Sequence, residues 1–288
     1  MDGSVVDADA RSGIGSAMRR NKLMTVGAAA ALMISVIGLL APLLAPYAPD
    51  AALPTQTLLP PSAVHWFGTD QLGRDVLSRI LYGARVSPMI ALLVLFLACV
   101  VGVPLGIAAG YFRGAIDDVI MRITDVFLAF PALLLALAIA AVLPPSIGSV
   151  TFAIAITWWP WYTRLIRGQA ASVSRRPYVE GARAAGVSHT RILFRHVLPN
   201  SLTPLIVQVS LDVSAVILTV SALSFLGLGA QDPTPDWGLM VSQGQQYFQT
   251  QWWLVTFPGI AILLTAVAFN LLGDGLRDVL DPRRVLIR

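Results

Sequence analysis

Six stretches of predominantly apolar residues, at about 23–45, 86–112, 125–143, 147–165, 202–229 and 253–272, dominate this chain. Each is close to the roughly 20 residues that a helix needs to cross a bilayer, where every backbone N–H and C=O has to be satisfied within the segment. Charge is correspondingly scarce. Asp, Glu, Lys and Arg make up 12% of the 288 residues, against roughly 25% in a soluble domain, and the mean hydropathy is +0.72. The fold expected is an all-α membrane protein with six transmembrane helices.

The cations set the orientation. With the N-terminus inside, 17 of the 20 Lys and Arg residues fall in inside segments, and three, Arg74, Arg79 and Arg85, fall outside. Cytoplasmic loops carry such an excess, so both termini are expected in the cytoplasm of a bacterial-type inner membrane. The pI near 9.6 raises the question of nucleic acid. The basic residues, however, stand in short segments beside apolar runs, as orientation signals do, so membrane lipid and not nucleic acid is the expected partner. The first stretch follows Arg19, Arg20 and Lys22 and has to be weighed as a signal peptide. Its apolar core exceeds the roughly 7–15 residues of a signal, and Pro49 after Ala45-Pro46-Tyr47-Ala48 is a poor cleavage context. A retained helix is expected.

These readings divide the chain into a cytoplasmic tail at 1–22, a first transmembrane helix at 23–46, a periplasmic segment at 47–85, a five-helix core at 86–276 and a cytoplasmic tail at 277–288. Within 47–85 a helical pattern begins near residue 71. Leu72, Val76, Leu77, Ile80 and Leu81 share one half of the wheel, and Arg74, Asp75, Ser78 and Arg79 the other. Asp70 with Arg74 and Asp75 with Arg79 are (i, i+4) pairs in the favourable order. The pattern predicts a short amphipathic helix at the outer membrane surface. In the periplasmic loop at 230–252, Trp237, Tyr247 and Trp252 read by default as headgroup anchors, or else as a surface for a soluble partner.

Between the fourth and fifth spans, residues 164–200 carry seven arginines and two short helical patterns. Pro177 suits a first helical turn, and Gly186 offers a left-handed C-terminal position. Ser188 is placed to cap a second helix over 189–198, which Pro199 would end. Such a helix-turn-helix is too compact for a catalytic domain and well shaped to be gripped.

Glu180-Gly181-Ala182, Gly186 and Leu198-Pro199 keep the spacing of an E-A-A-x3-G-x9-I-x-L-P loop, with Gly181 in place of the first alanine and His196 in place of isoleucine. Gly181 loosens its helix by up to about 1 kcal/mol relative to alanine. This segment resembles the coupling loop of permease subunits of binding-protein-dependent ABC importers. The runs His65-Trp66-Phe67-Gly68-Thr69-Asp70, Gly73-Arg74-Asp75, Ser78-Arg79, Ser224-Phe225-Leu226-Gly227-Leu228-Gly229, Trp237-Gly238 and Asn270-Leu271-Leu272-Gly273-Asp274-Gly275-Leu276-Arg277-Asp278 resemble the dipeptide, oligopeptide and nickel permease group.

The resemblance implies that the coupling loop at 166–200 docks on an ATPase subunit through Glu180, Gly181, Ala182, Arg183, Gly186, Leu198 and Pro199. It also implies a second homologous permease subunit, two ATPase subunits and an extracytoplasmic solute-binding protein as partners. Peptides are the preferred cargo, ahead of nickel complexes or glutathione. ATP and Mg would be bound by the ATPase subunits, because this chain has no G-x-x-x-x-G-K-[ST] loop and its one lysine, Lys22, precedes a span. H-E-x-x-H and G-x-S-x-G patterns are also missing, so no catalytic residue and no cofactor is assigned to the chain.

Cys99 is the one cysteine, and His65, His189 and His196 lack metal-ligand spacing, so no metal site is expected. Gly102, Gly106 and Gly110, four apart on the second span, favour close helix contact. Asp212 is the one acid deep in an apolar run, with Gln208 and Thr219 near the same face, and an unpaired charge there costs about 3 kcal/mol. Gln208 and Asp212 are therefore candidates for the translocation path, with a structural hydrogen bond as the alternative. An ion-coupled secondary transporter using Asp212 and a non-transporting scaffold are the rival functions.

Overall fold

The computed structural model describes residues 22–280. The tail assigned to 1–22 lies outside them except for Lys22, and of the tail assigned to 277–288 only 277–280 are described, as the end of the last helix. The helices are α1 Lys22–Leu39, α2 Ala41–Leu44, α3 Val76–Phe112, α4 Ala115–Leu128, α5 Ala132–Val142, α6 Ile147–Val173, α7 Pro177–Ala184, α8 His189–Ile192, α9 Leu198–Phe225, α10 Trp237–Gly244 and α11 Trp253–Leu280. A π-helical turn, Leu193–Val197, joins α8 to α9. Among the described residues the backbone pairing of strand type is a single bridge between Thr69 and Asp75.

Among the described residues four helical stretches are long and apolar enough to cross a membrane: α1, α3, the continuous run His189–Phe225, and α11. The pair α4 and α5 is a fifth if counted as one span. Over the fourth apolar stretch α6 is 27 residues long, but Trp158, Trp159, Trp161, Tyr162, Arg164 and Arg167 dilute its apolarity.

The bundle is organised around α3 and α6, whose contact is the most extensive between helices among the described residues. The predicted glycine stripe makes it possible. A Cβ at Gly102 or Gly106 would lie 2.7 and 2.6 Å from the carbonyl oxygens of Trp159 and Thr163, and one at Gly110 closer still to that of Arg167. Only hydrogen atoms at these positions let the two backbones meet. Val94, Ala98, Ile154, Tyr162, Ile166, Ile217 and Leu223 fill the core behind them.

The third apolar stretch is not one helix over 125–143. It is α4 and α5, set at 84° to each other. Pro131 accounts for the corner, because it lacks the N–H a helix needs and disfavours helical geometry at Phe130. At 11 residues, α5 is about 16 Å long, about half of the hydrocarbon thickness.

The amphipathic surface helix of the 47–85 segment is also corrected. Its helical part is the first turns of α3, which runs unbroken for 37 residues. The polar half does not face solvent: Arg74, Asp75, Ser78 and Arg79 are buried together with Val76; Leu77, Ile80 and Leu81 are half-buried, and Leu72 is 44% exposed. The polar half turns inward because the connecting loops supply its partners. Asp75 caps α3, accepting from the Ser78 backbone N–H and hydroxyl at 2.8 Å each, and its other oxygen meets His65 Nδ1 at 2.9 Å. Asp75 therefore does not pair with Arg79, and the other ring nitrogen of His65, Nε2, lies 2.9 Å from Gln56 Oε1. Arg74 Nε donates to Asp70 at 2.6 Å and its Nη1 to Asp232 at 2.8 Å, with Arg79 Nε 3.8 Å from Asp70.

This knot ties residues 54–79 to the loop at 230–252. There Trp237 is not a headgroup anchor: it is 1% exposed, packs on Gly83 and donates its indole N–H to the Ile80 carbonyl at 3.1 Å. Asp236, equally buried, caps α10 by accepting from the Leu239 N–H at 3.0 Å.

Candidate functional site

Two places collect the residues singled out in the sequence. The first is the helical hairpin between α6 and α9. Pro177 opens α7 at its first turn. Gly186 closes it at φ +74°, with the Val187 N–H bonded back to the Ala182 carbonyl at 3.1 Å and that of Gly186 to Arg183 at 3.0 Å. That pair of bonds is the Schellman arrangement, which a residue at positive φ permits.

Val179 at the centre of α7 is fully buried in the core, as are Ile192 and Val197 after the turn. Ala182 and Leu198 are half-buried, whereas Glu180, Gly181, Arg183, Gly186 and Pro199 are exposed. One side of the hairpin is thus bolted to the bundle and the other presents an acidic and several basic side chains.

The second predicted helix of this hairpin does not stop at Pro199. It passes through the π turn Leu193–Val197 directly into α9, where Pro199 occupies the first turn. A widened π turn accommodates a proline ring that would clash with a regular helical carbonyl. Ser188 holds the N-cap position of α8 through its backbone carbonyl, which accepts from Ile192 at 3.0 Å, while its hydroxyl makes no cap.

Tyr111, a residue the sequence did not mark, pins this hairpin to α3. Its hydroxyl lies 2.7 Å from His189 Nδ1, and the Arg183 guanidinium sits 5.2 Å from the centre of its ring, within the range of a cation–π contact. His196 packs edge-on to Tyr178 at 6.0 Å.

The second place is a cavity of about 490 Å³ lined by Trp158, Trp161, Arg164 and Leu165 of α6 and by Gln208 and Asp212 of α9. Both predicted path residues line it. Asp212 accepts from the Tyr162 hydroxyl on Oδ2 and from Gln208 Nε2 on Oδ1, each at 2.9 Å. Thr219 does not join them: its hydroxyl bonds to the Ala215 carbonyl of its own helix at 2.8 Å.

Arg164 at the cavity mouth is ion-paired with Asp125 of α4. One turn on, Arg167 is paired with Asp117 of the same helix. Tyr162, Trp158 and Arg164 escaped the sequence reading because they lie on a different helix from Asp212. The available signal was that an acid at that depth requires donors, without saying which helix supplies them.

Residues 102–285 match the family described as "Binding-protein-dependent transport system inner membrane component", and residues 16–61 match "N-terminal TM domain of oligopeptide transport permease C". The chain is 47% identical over 267 residues to the "Probable D,D-dipeptide transport system permease protein DdpC" of Escherichia coli (strain K12), covering 92% of this chain and 90% of that one. It is 48% identical over 271 residues to the "Dipeptide transport system permease protein DppC" of the same strain, with the same coverage. With the DppC protein of Alkalihalophilus pseudofirmus it shares 45% over 266 residues, 92% of this chain and 88% of that one. Among solved structures, an inward-facing form of the MetNI methionine ABC transporter superposes with a TM-score of 0.55 at 14% identity, over 70% of this chain and 96% of that one.

Proposed function

The chain belongs to the family of binding-protein-dependent transport system inner membrane components, and on that premise we propose that it is a membrane-spanning subunit of an ATP-driven importer of di- or oligopeptides. Peptides are favoured over nickel complexes or glutathione because the relatives that cover most of the chain are named for dipeptides. In this reading the fold makes six passes through a bacterial inner membrane, α4 and α5 together forming the third and α6 the fourth, with both termini in the cytoplasm.

The hairpin at 177–198 is then the cytoplasmic coupling element, and Glu180, Gly181, Ala182, Arg183, Gly186, Leu198 and Pro199 are its candidate contacts with an ATPase subunit. The observation that carries this role is the fully buried Val179 beneath the exposed Glu180. Force applied to the exposed face has no slack to take up before it reaches the bundle, so closure of an ATPase pair becomes a tilt of α6 and α9 and shifts an inward- and outward-open equilibrium. The chain supplies no hydrolysis of its own. ATP and Mg belong to two ATPase partners, a second permease completes the path, and a solute-binding protein delivers the cargo from outside. The cavity beside Gln208 and Asp212 is this chain's share of that path.

Uptake of dialanine into proteoliposomes holding the complete assembly tests this reading. ATP-dependent uptake that Glu180→Arg abolishes, with loss of ATPase association, is the expected result. Uptake without ATP would point to an ion-coupled transporter instead, and ATPase association without any uptake to a scaffold.

A further inference from the structure

We propose that the cavity between α6 and α9 is a two-ended site for a zwitterionic short peptide, in which Asp212 takes the α-ammonium group and Arg164 the terminal carboxylate. This rests on, and deepens, the peptide-importer reading above.

Asp212 carries the argument. Both carboxylate oxygens are held by neutral donors, Tyr162 and Gln208, with Trp158 beside them. Among the described residues no cationic group lies within ion-pair distance of it. A carboxylate has about four acceptor positions, so capacity remains on the cavity side for a multiply donating ammonium. A negative charge fixed at that depth and balanced by dipoles alone is costly. A bound cation offsets part of that cost.

Arg164 lines the same cavity from the facing helix. It is occupied by Asp125, but both side chains are at least half exposed, so the pair is weak and exchangeable. A peptide carboxylate entering beside it competes for a planar fork suited to two parallel bonds. The space fits: about 490 Å³ lies within the roughly 300–1,000 Å³ of small-molecule sites, and Trp158 and Trp161 add flat apolar walls that accept varied side chains. Because Asp125 is on α4, capture of the carboxylate also frees α4 from α6 at that point.

Saturation-transfer NMR on the full chain in lipid nanodiscs tests the assignment, with dialanine, N-acetyl-dialanine and dialanine amide as probes. Wild type is expected to prefer dialanine about five-fold over each capped form, the scale of one partly exposed charge pair. Asp212→Asn should erase the preference over the N-acetyl form alone, and Arg164→Gln the preference over the amide alone. Arg164→Lys should restore the latter, which separates charge recognition from misfolding. Equal binding of the three probes by wild type, or loss of both preferences in either variant, overturns the site. ATP-driven dialanine uptake by the complete assembly, measured in parallel, distinguishes that failure from failure of the importer reading, in which uptake itself is missing.

Discussion

Arg167 holds Asp117 in a planar fork, Nε donating to Oδ1 at 2.6 Å and Nη2 to Oδ2 at 2.5 Å across 50 residues of sequence. Asp117 is in the first turn of α4, where a negative charge also complements the helix dipole. The fork fixes the angle at which α4 meets α6, while α4 itself buries only Thr124. Beside its ion pairs, the helix is held by Phe127, which packs edge-on to Trp159 at 5.3 Å. Asp117→Asn should therefore cost about 1 kcal/mol, a charged hydrogen bond discounted for the 42% exposure of the Arg167 side chain. Hydrogen exchange should rise across Ala115–Leu128 and nowhere else. Asp118→Asn, at an exposed neighbour, is the control, and equal protection in both variants would contradict the assignment.

Two glycine substitutions should differ in outcome. Gly106→Ala places a methyl group 2.6 Å from the Thr163 carbonyl oxygen, so α3 and α6 must separate, and the thermal midpoint in detergent should fall by several degrees. Gly181→Ala meets no atom within 4 Å and gains helix propensity, up to about 1 kcal/mol. It should leave the midpoint unchanged or raised.

The buried knot at the start of α3 predicts a large loss. Asp70 accepts from Arg74 Nε at 2.6 Å and faces Arg79 at 3.8 Å, both arginines being at most 2% exposed. Asp70→Asn leaves two buried guanidinium groups sharing the partly exposed Asp232, and breaking such a pair costs about 3–5 kcal/mol. Unfolding monitored by tryptophan fluorescence should show it, since Trp237 and Trp253 pack in the cluster at this end of α3. An unshifted transition would refute the knot as a stabilising element.

Asp236 gives a pH dependence. Burial pushes its carboxyl above the ordinary carboxylate range, against hydrogen bonds from Leu239, Ser224, Ser87 and Gly238. With the folded value raised, the folded state holds the proton more tightly than the unfolded chain. Stability from this group is complete below the ordinary carboxylate value and declines as pH rises through the raised one. Asp236→Asn keeps the N-cap acceptor and should flatten that decline, whereas Asp236→Ala loses the cap and lowers stability at every pH. Parallel pH profiles for Asp236→Asn and wild type would count against the burial argument.

How far the sequence was readable depended on the range of the interaction involved. Apolar length found the apolar helices but not the corner at Pro131 or the start of α3 at Val76, because backbone satisfaction in lipid is a local requirement that fixes neither, and the Gly102, Gly106 and Gly110 stripe announced a close contact without naming α6. The α7 boundaries followed from Pro177 and Gly186, whose backbone preferences are their own. Sidedness of polar faces was not readable. The wheel over 72–81 correctly separated polar from apolar residues, yet Arg74 and Arg79 turn inward because their partners Asp70 and Asp232 are there, the second more than 150 residues away. For the same reason Asp212 was legible as an anomaly while Tyr162, its donor, was not. Pro199 was read as a stop because the π turn before it has no sequence signature.

The 37 residues of α3 begin at the Asp75 cap, held by His65, and end at Tyr111 against His189. The helix is about 55 Å long and carries two internal prolines, Pro88 and Pro104, the positions at which such a helix bends. Loop and hairpin thus sit at the two ends of one helix, and a change of bend at either proline would turn one end against the other.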